Sequence, residues 1–345
     1  MKIGNFDFNS NTTYIIAEMS ANHNGVLKNA LESIKAAKEV GANAIKLQTY
    51  RADTLTLNSQ KEEFMIKGGT LWDGESLYEL YEKAHTPWEW HEELFSYART
   101  IGIEIFSSPF DKSAVDFLEQ FSPAAYKIAS FEITDYELIR YVASKKKPVI
   151  ISTGIATIEE IQDAVSICKS EGNEDIILLK CTSAYPAPLN DANLKTIPNL
   201  AETFGVVSGF SDHTLGVVAP VVAVSLGARV IEKHFIVDKS IGGADADFSL
   251  DKKEFTEMVN AIRDSEKLLG KVDYSMSKNK EKSREFSRSL YVSKEIKEGE
   301  LFTTQNIKSV RPGYGMHPKH LANVLGKRAV KNLSFATPLE EKYIK

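Results

Sequence analysis

The sequence predicts a (β/α)8 TIM barrel followed by a small C-terminal domain. Short β-rich runs alternate with helical patterns from Tyr14 to about Gly270. Eight such strand–helix units in about 260 residues match the usual size of this fold. An open, doubly wound parallel sheet is the alternative, but no glycine-rich dinucleotide-binding motif follows the first strand. The barrel is therefore the expected architecture.

Each predicted strand is a short run of apolar and β-branched residues. The runs are Tyr14–Met19, Ala44–Gln48, Ile103–Phe106, Ala125–Ile128, Val149–Ser152, Ile176–Cys181, Val206–Phe210 and Val230–Phe235. The first helix is predicted from a stripe with a 3.6-residue period, formed by Leu27, Ala30, Leu31, Ile34 and Ala37. The apolar stretch from Leu215 to Ala228 predicts one crossover helix between the last two strands.

Two later helices are expected to begin at capping boxes, Thr134-x-x-Glu137 and Thr157-x-x-Glu160. The segment from Tyr50 to Thr100 is too long for an ordinary connection. A long excursion after a barrel strand lies at the carboxyl-terminal face of the barrel, where substrate loops are found. We therefore expect this excursion to border a binding site.

The character of the chain changes after Gly270. We predict a barrel domain over 1–270, a polar linker over 271–285 and a small domain over 286–345. A domain of that size buries too little apolar surface to be robust alone, so we expect it to dock on something larger.

Composition excludes several classes of protein. A net charge of −5 and an isoelectric point near 5.9 give no reason to expect nucleic acid or an acidic membrane as a partner. The longest apolar run, Val217 to Leu226, is too short to span a bilayer, and the first residues lack the apolar core of a signal peptide. A cytoplasmic location is expected. Cys168 and Cys181 are interpreted as small core residues.

Two histidines, His213 and His234, stand at the mouth ends of two successive predicted strands. Neighbouring parallel strands joined by one helix bring such side chains close together. Both imidazoles are thus expected to reach a single divalent metal ion. The alternative is that each histidine is structural.

Strand alternation predicts which side chains point into the barrel. On the second strand Lys46 and Gln48 point inward, and on the fourth strand Lys127 does so. Each lysine alone is explained by a buried ion pair or by a snorkelling side chain. Two inward lysines without an equal number of nearby acids predict an anionic ligand instead, because buried unpaired ammonium groups are costly.

Hydroxyl groups cluster where other strands end. They belong to Ser107, Ser108, Ser130, Ser152, Thr153, Thr182, Ser183 and Ser211. Each one alone is more typical of a helix cap or a turn. Together they indicate a ligand that carries phosphate and carboxylate groups. Asp245, in a glycine-containing loop, is either a turn residue or an acceptor beside the metal or a substrate hydroxyl.

Six ordered motifs resemble the signatures of the sialic acid synthase family. They are Ala17–Gly25, Lys46–Thr49, Lys127–Ser130, Cys181–Pro186, Gly209–Thr214 and Glu232–Phe235. The tail motif, Val310–Gly315, resembles the antifreeze-like (SAF) domain of that family. The resemblance covers nearly the whole chain.

The resemblance implies condensation of phosphoenolpyruvate (PEP) with an N-acetylated amino sugar to give a nine-carbon acid and phosphate. It implies a divalent metal, Mn2+ first, with Mg2+ or Co2+ as alternatives. It also implies a domain-swapped homodimer in which the tail of one chain caps the barrel mouth of the other.

Carried over residue by residue, the resemblance makes His213 and His234 the metal ligands. It assigns PEP to Lys46, Lys127, Ser130, Ser152, Ser183 and Ser211, with Ser108 and Tyr185 nearby. The inward Gln48 is also predicted to bind substrate. Glu18 and Asp245 would face the sugar and the reacting water, with Glu18 moving protons, and Arg311 would reach into the partner's site. The chain departs from the family at Ser108, where threonine is usual, and at Ser183, where asparagine is common.

Two segments of the excursion resemble one branch of the family, which acts on 2,4-diacetamido-2,4,6-trideoxy-L-altrose. They are Gly69–Trp72 and Thr86–Trp90. N-acetylneuraminate and legionaminate synthesis are the alternatives within the family. A related barrel acting on a phosphorylated sugar should carry arginines at its strand ends, which are arginine-poor here. Carbohydrate or ice binding through the tail leaves the lysines and histidines unexplained.

Overall fold

The computed structural model describes residues 1–67 and 72–345. The chain forms two compact units, Met1–Gly270 and Lys271–Lys345. Of the first excursion motif, Gly69 to Leu71 lie outside the described residues, so that prediction has no structural counterpart here.

The first unit begins with a hairpin and continues into a closed barrel. The hairpin strands are β1 (Lys2–Ile3) and β2 (Phe6–Asp7). The barrel strands are β3 (Tyr14–Glu18), β4 (Ala44–Thr49), β5 (Glu104–Pro109), β6 (Tyr126–Ile128), β7 (Val149–Ser152), β8 (Ile176–Cys181), β9 (Val207–Asp212) and β10 (Val230–His234). Each strand pairs in parallel with the next, and β10 closes the ring on β3. The predicted barrel is confirmed.

Helices follow the strands and cover the barrel. They are α1 (Leu27–Glu39), α2 (Ala52–Leu55), α3 (Leu77–Ala84), α4 (His91–Ile101), α5 (Lys112–Glu119), α6 (Tyr136–Ser144), α7 (Ile158–Ser170), α8 (Thr196–Phe204), α9 (Val218–Ser225) and α10 (Lys252–Leu269). The crossover helix α9 is shorter than the predicted stretch of Leu215 to Ala228. Gly216 and Gly227 flank it with φ of +77° and +98°, a backbone conformation that ends a helix.

The two predicted capping boxes have different outcomes. Thr157 accepts a hydrogen bond from the Glu160 amide, so that box is confirmed. The box assigned to Thr134 is wrong, because Asp135 is the N-cap and its carboxylate accepts from the amide of Leu138. Aspartate is as strong an N-cap as threonine, and here it stands one residue nearer the apolar stripe of the helix.

Strand alternation divides the apolar residues into two layers. Ile45 and Leu47 of β4 pack with the surrounding helices, whereas Ala44 lies inside the barrel with Ile16 and Phe106. The amino ends of the strands are filled with apolar side chains in this way. The inward positions nearer the carboxyl ends are thereby left to polar residues.

The N-terminal hairpin, which we did not predict, seals the amino-terminal end of the barrel. Ile3 is fully buried in the inner layer, and Phe6 and Phe8 pack against it. The Phe6 ring lies edge-on to Tyr14, with 4.9 Å between ring centroids. Strands of two residues carry no periodic signal, which explains the omission.

The second unit has its own small core. Strands β11 (Ser289–Val292) and β12 (Ile307–Val310) pair antiparallel, and the helices are α11 (Lys278–Arg284) and α12 (Leu321–Val324). Its core includes Leu290, Phe302 and Leu333. The segment predicted as a linker, 271–285, is exposed and contains α11. Within the described parts of both units, no helix combines the length and the apolar character needed to cross a membrane.

Candidate active site

A cavity of about 400 Å³ lies where the barrel strands end. Most of the residues predicted for the site line it. They are Glu18, Lys46, Gln48, Lys127, Ser130, Ser152, Tyr185, Ser211, His213, His234 and Asp245. Because parallel strands of a barrel end at one rim, residues far apart in the sequence meet there.

Three predicted site residues lie elsewhere. Ser183 does not line the cavity itself, but its hydroxyl donates to the Ser130 hydroxyl at 3.0 Å. Ser108 is buried beside Gln48 in the sheet and is not part of the cavity lining. Arg311 belongs to the second unit, where its side chain is exposed.

The expectation of lysines without nearby acids is wrong. The Lys46 ammonium lies 2.9 Å from a Glu18 carboxylate oxygen and 3.3 Å from one of Glu232. Lys127 lies 3.7 Å from Glu232, and all four side chains are almost completely buried. Glu232 points inward from β10, and it was not counted as a partner because its nearness depends on how the barrel closes.

The protonation states of these four buried side chains depend on one another. Burial alone would raise the pKa of Glu18, but Lys46 and His234 hold it well below the usual range. Burial opposes the charge on Lys46, yet Glu18 and Glu232 raise its pKa. Burial lowers the pKa of Lys127, which Glu232 offsets only in part. Lys127 is thus the cation with the weaker internal compensation.

Hydroxyl groups beside Lys127 form a narrow recess. Lys127 donates to the Ser152 hydroxyl at 2.6 Å, and Ser130 accepts from the Ile155 amide at 3.1 Å. A Cβ added to Gly154 would lie 2.4 Å from the Ser183 hydroxyl and 2.7 Å from that of Ser130. We call Ser130, Gly154 and Ser183 the serine bay. Only glycine leaves this recess open.

Both cysteines are buried, as predicted for small core residues. Cys168 packs in the core between barrel and helices. Cys181 is the last residue of β8 and also lines the cavity, where its sulfur would lie 2.5 Å from a Cβ at residue 154. Cys181 therefore borders the site as well as being buried.

The two histidines face the same cavity, and their ring centroids are 5.5 Å apart. The Nδ1 atom of His213 lies 2.9 Å from the Thr182 carbonyl oxygen. A carbonyl oxygen only accepts, so Nδ1 carries the proton and Nε2 keeps its lone pair. Burial lowers the pKa of His213 to about 3, which leaves the ring neutral at pH 7.

His234 has a buried ring nitrogen without a hydrogen-bond partner among the described residues. That atom, Nδ1, lies 3.8 Å from an Asp245 oxygen, and Nε2 lies 3.6 Å from a Glu18 oxygen. Both distances are too long for hydrogen bonds. An unsatisfied buried donor or acceptor normally indicates a missing partner.

The residues present fit a metal site with two protein ligands. Imidazole nitrogens suit divalent transition metals, and among the described residues each ring keeps a nitrogen without a hydrogen-bond partner. Residues 1–67 and 72–345 contain no cluster of three or more His, Cys, Asp or Glu side chains arranged to hold a metal. Remaining coordination positions would therefore fall to substrate and water.

Glu132 is a site residue that sequence reasoning missed. It lines the cavity, and its Oε2 atom is buried with no hydrogen-bond partner in the part of the chain that the structure describes. Burial raises its pKa to about 7, against the attraction of Lys127. Its position two residues after Ser130, just past β6, was the available signal. Such a carboxyl group can exchange a proton near neutral pH.

An aromatic cluster borders the histidines. The Tyr185 ring lies 4.4 Å from that of His213 and 5.1 Å from that of Phe248, between centroids. Burial raises the pKa of Tyr185, so its hydroxyl stays protonated. Trp72 lies 6.3 Å from Tyr185 and donates to the Ala244 carbonyl oxygen at 3.3 Å. This contact ties the excursion to the loop that carries Asp245.

Family models match most of the chain. The model of the NeuB family matches residues 33–274, and the SAF domain matches residues 287–342. The chain belongs to the NeuB family. The predicted membership of the sialic acid synthase group, the SAF domain and the prediction of an enzyme are confirmed.

Curated relatives extend over nearly the full length. The chain is 55% identical to a pseudaminic acid synthase of Campylobacter jejuni over 341 residues, 99% of each chain. It is 52% identical to a pseudaminic acid synthase of Helicobacter pylori, over 94% of this chain and 96% of the relative. A solved N-acetylneuraminic acid synthetase from Leptospira borgpetersenii matches with a TM-score of 0.73 and 31% identity, over 82% of this chain and 94% of that one.

Proposed function

We propose that this chain acts as a pseudaminic acid synthase. It condenses PEP with 2,4-diacetamido-2,4,6-trideoxy-L-altrose and water to give pseudaminic acid and phosphate. The observation that carries the proposal is the 55% identity to a pseudaminic acid synthase over 99% of both chains. The cavity agrees, because it joins a lysine-rich, hydroxyl-rich end to a pair of metal-competent histidines.

The reaction forms one carbon–carbon bond and, at C2, replaces the bond to the phosphate oxygen with a bond to a water oxygen. C3 of PEP bonds to C1 of the sugar aldehyde, whose oxygen takes up a proton and becomes a hydroxyl. Water adds to C2 and loses a proton. The resulting C2 hydroxyl loses its second proton and becomes the ketone as the bond between C2 and the phosphate oxygen breaks and phosphate leaves. The protein must therefore bind a highly anionic substrate, orient the aldehyde and move protons at two atoms.

PEP is placed between Lys127 and the serine bay. Burial lowers the pKa of Lys127, and Glu232 offsets this effect only in part. A bound phosphate or carboxylate would add negative charge beside Lys127 and favour its protonated form. The Ser152 hydroxyl lies within hydrogen-bond distance of Lys127 and adds a neutral donor. Lys46, held between Glu18 and Glu232, contributes positive charge at a fixed position without freedom to move.

Glu132 and Glu18 take different roles in this proposal. The pKa of Glu18 is held low, so it stays ionised and accepts hydrogen bonds, as from Gln48 at 3.0 Å. An ionised group with a low pKa is a weak base and is better suited to orienting a hydroxyl. Glu132, with a pKa near 7, is the better base for the attacking water. Asp245 lies on the sugar side.

A divalent metal, Mn2+ in our proposal, would be held by His213 and His234. When bound it supplies Lewis acidity toward the aldehyde oxygen. Tyr185 and Phe248 pack against the two rings and limit their rotation. Mg2+ and Co2+ are the other candidates.

The proposal extends to assembly and location. The SAF unit carries exposed Arg311, a cation suited to an anionic site in a second copy. We propose a domain-swapped homodimer in which Arg311 completes the partner's site, and a cytoplasmic location.

Mixing an inactive His213→Ala chain with an inactive Arg311→Ala chain should restore part of the activity, because one site of the mixed dimer is intact. No recovery in proven heterodimers would contradict this arrangement.

Phosphate release tests the catalytic proposal. Purified protein with PEP, Mn2+ and 2,4-diacetamido-2,4,6-trideoxy-L-altrose should release one phosphate for each nine-carbon acid seen by mass spectrometry. N-acetylmannosamine and the legionaminate precursor serve as competing sugars. A preference for either would transfer the assignment to the neuraminate or legionaminate branch. No phosphate release with any of the sugars would contradict the proposed synthase activity.

A further inference from the structure

We infer that one side of the cavity is a specificity surface for the methyl groups of the sugar. This apolar wall is defined as Leu55, Ile66, Leu77, Leu80, Ala84 and Phe110. It would contact the C6 methyl group and the C4 acetamido methyl group of the acceptor. The inference rests on the proposed function, because it concerns the second substrate of that reaction.

The first argument is that helix α3 has an apolar stripe but no buried residue. Leu77, Leu80 and Ala84 recur at helical spacing and form one apolar stripe. Such a stripe normally packs into a core, yet no residue of α3 is buried. The stripe lines the cavity instead. An apolar surface that the protein does not cover itself is suited to an apolar part of a ligand.

The second argument is that the start of α3, and with it the register of its apolar stripe, is defined. The Ser76 hydroxyl accepts from the Glu79 amide, and the Glu79 carboxylate accepts from the Ser76 amide, both at 3.2 Å. This complete capping box determines where the helix begins. The part of the wall that α3 contributes is therefore a regular helical face with a defined register.

The third argument is how the wall joins the catalytic residues. Tyr50 is 3% exposed, and its ring centroid lies 5.1 Å from that of Phe110 and 5.8 Å from that of Tyr81. Tyr50 and Asp245 both line the cavity, so the wall and the polar site share one lining. The wall thus continues from the polar site, so a sugar whose C1 lies at the histidines extends its far carbons along it.

The chemistry of the wall selects against hydroxyl groups. Its side chains offer no hydrogen-bond donor or acceptor, so a C6 hydroxyl would lose its water partners without replacement. A C6 methyl group gains apolar contact at the same position. A hydrophobic pocket discriminates such pairs by about tenfold to a hundredfold. The trideoxy sugar therefore matches the wall better than a sugar with a C6 hydroxyl.

The test compares two sugars that differ at one carbon. The probes are 2,4-diacetamido-2,4,6-trideoxy-L-altrose and its counterpart with a C6 hydroxyl, each with PEP and Mn2+. The native enzyme should prefer the methyl sugar in kcat/KM by about tenfold or more. Leu80→Asn should reduce that preference about fivefold, mainly through the KM of the sugar, and leave the KM of PEP within about twofold.

Leu57→Asn is the matched control. Leu57 lies in the same excursion, is 67% exposed and is not part of the cavity lining. It should leave both the preference and the turnover unchanged. If Leu80→Asn does not fold, judged by circular dichroism, Leu77→Asn decides in its place, with the same expected result.

The outcomes separate this inference from the proposed function. No turnover of any sugar by the native enzyme would defeat the proposed function and the wall together. Turnover without a preference for the methyl sugar, or a preference that both wall variants retain, would overturn the wall alone. A changed oligomeric state with unchanged preference would show instead that the wall covers part of a second copy, which also overturns the inference.

Discussion

Two regions border one cavity. The first, which we call the strand-end centre, consists of the polar and charged residues at and just after the ends of the barrel strands, and the second is the apolar wall. The two regions differ in how the fold holds them in place. Strand-end residues such as Lys46 and His234 are held by hydrogen-bonded barrel strands and by buried ion pairs. Wall residues such as Leu80 sit on a short helix of a long excursion, with no buried residue in that helix. A rigid centre suits chemistry that must stay constant. An excursion suits substrate preference, which can change without disturbing the barrel.

The largest effect should come from the histidines of the centre. His213→Ala or His234→Ala should lower kcat/KM about a thousandfold, because a Lewis acid supplies several kcal/mol of transition-state stabilisation. Each variant should also bind Mn2+ more weakly by calorimetry, and a chelator should reproduce the loss in the native enzyme. His320→Ala, outside the site, is the control. Normal turnover in a histidine variant that no longer binds metal would break the comparison, because the centre would then not depend on its metal.

Register explains why the centre was largely predictable. Alternation correctly placed Lys46 and Lys127 inward, because side chains of a strand point to opposite faces whatever the rest of the fold does. The ion pairs were not predictable in the same way. Glu232 reaches both lysines only because β10 closes the ring beside β3, which is a tertiary event. The charge balance of the centre therefore depends on barrel closure, which the strand patterns do not specify.

The wall was less accessible to sequence reasoning. The excursion was expected to border the site, but α3 carries the same apolar period as a helix that packs into a core. Periodicity gives the face of a helix and not what covers it. Glu132 was missed for a related reason, since a carboxyl group after a strand is usually solvated, and its raised pKa results from burial beneath neighbouring groups.

A smaller effect should follow from filling the serine bay. Gly154→Ala places a methyl group against the Ser130 and Ser183 hydroxyls, which must then move. Displacements of about 1 Å in a positioned site cost up to about a hundredfold in rate, so kcat/KM for PEP should fall about tenfold to a hundredfold. The KM of the sugar should stay within about twofold in initial-rate measurements.

Ile155→Ala is the control for this change, because Ile155 is exposed beside the same glycine. An equal loss for PEP and for the sugar in Gly154→Ala would indicate that the strand end had collapsed. The serine bay would then be a packing feature of the centre and not a PEP site.

The most specific change concerns the pH dependence set by Glu132. Burial raises its pKa from 4.5 to about 7, so the carboxyl group is protonated below that pH and ionised above it. As the base for water it works only when ionised, so kcat/KM should rise with pH through about 7 and level off about one unit higher. In Glu132→Gln the rate should no longer rise with pH over this range. Its value at high pH should be about a hundredfold below that of the native enzyme, because general-base catalysis contributes at least that much.

The stability of the protein gives a second, independent measurement of Glu132. A carboxyl group with a raised folded pKa binds its proton more tightly in the folded state. The free energy of unfolding should therefore fall as pH rises from 4.5 through about 7, and Glu132→Gln should flatten that fall. Glu137→Gln, on the exposed surface of α6, should change neither profile. In Glu132→Gln the rate could still rise with pH while the free energy of unfolding loses its pH dependence. That result would assign the base to another group and leave Glu132 as an acid of the centre without a role in proton transfer.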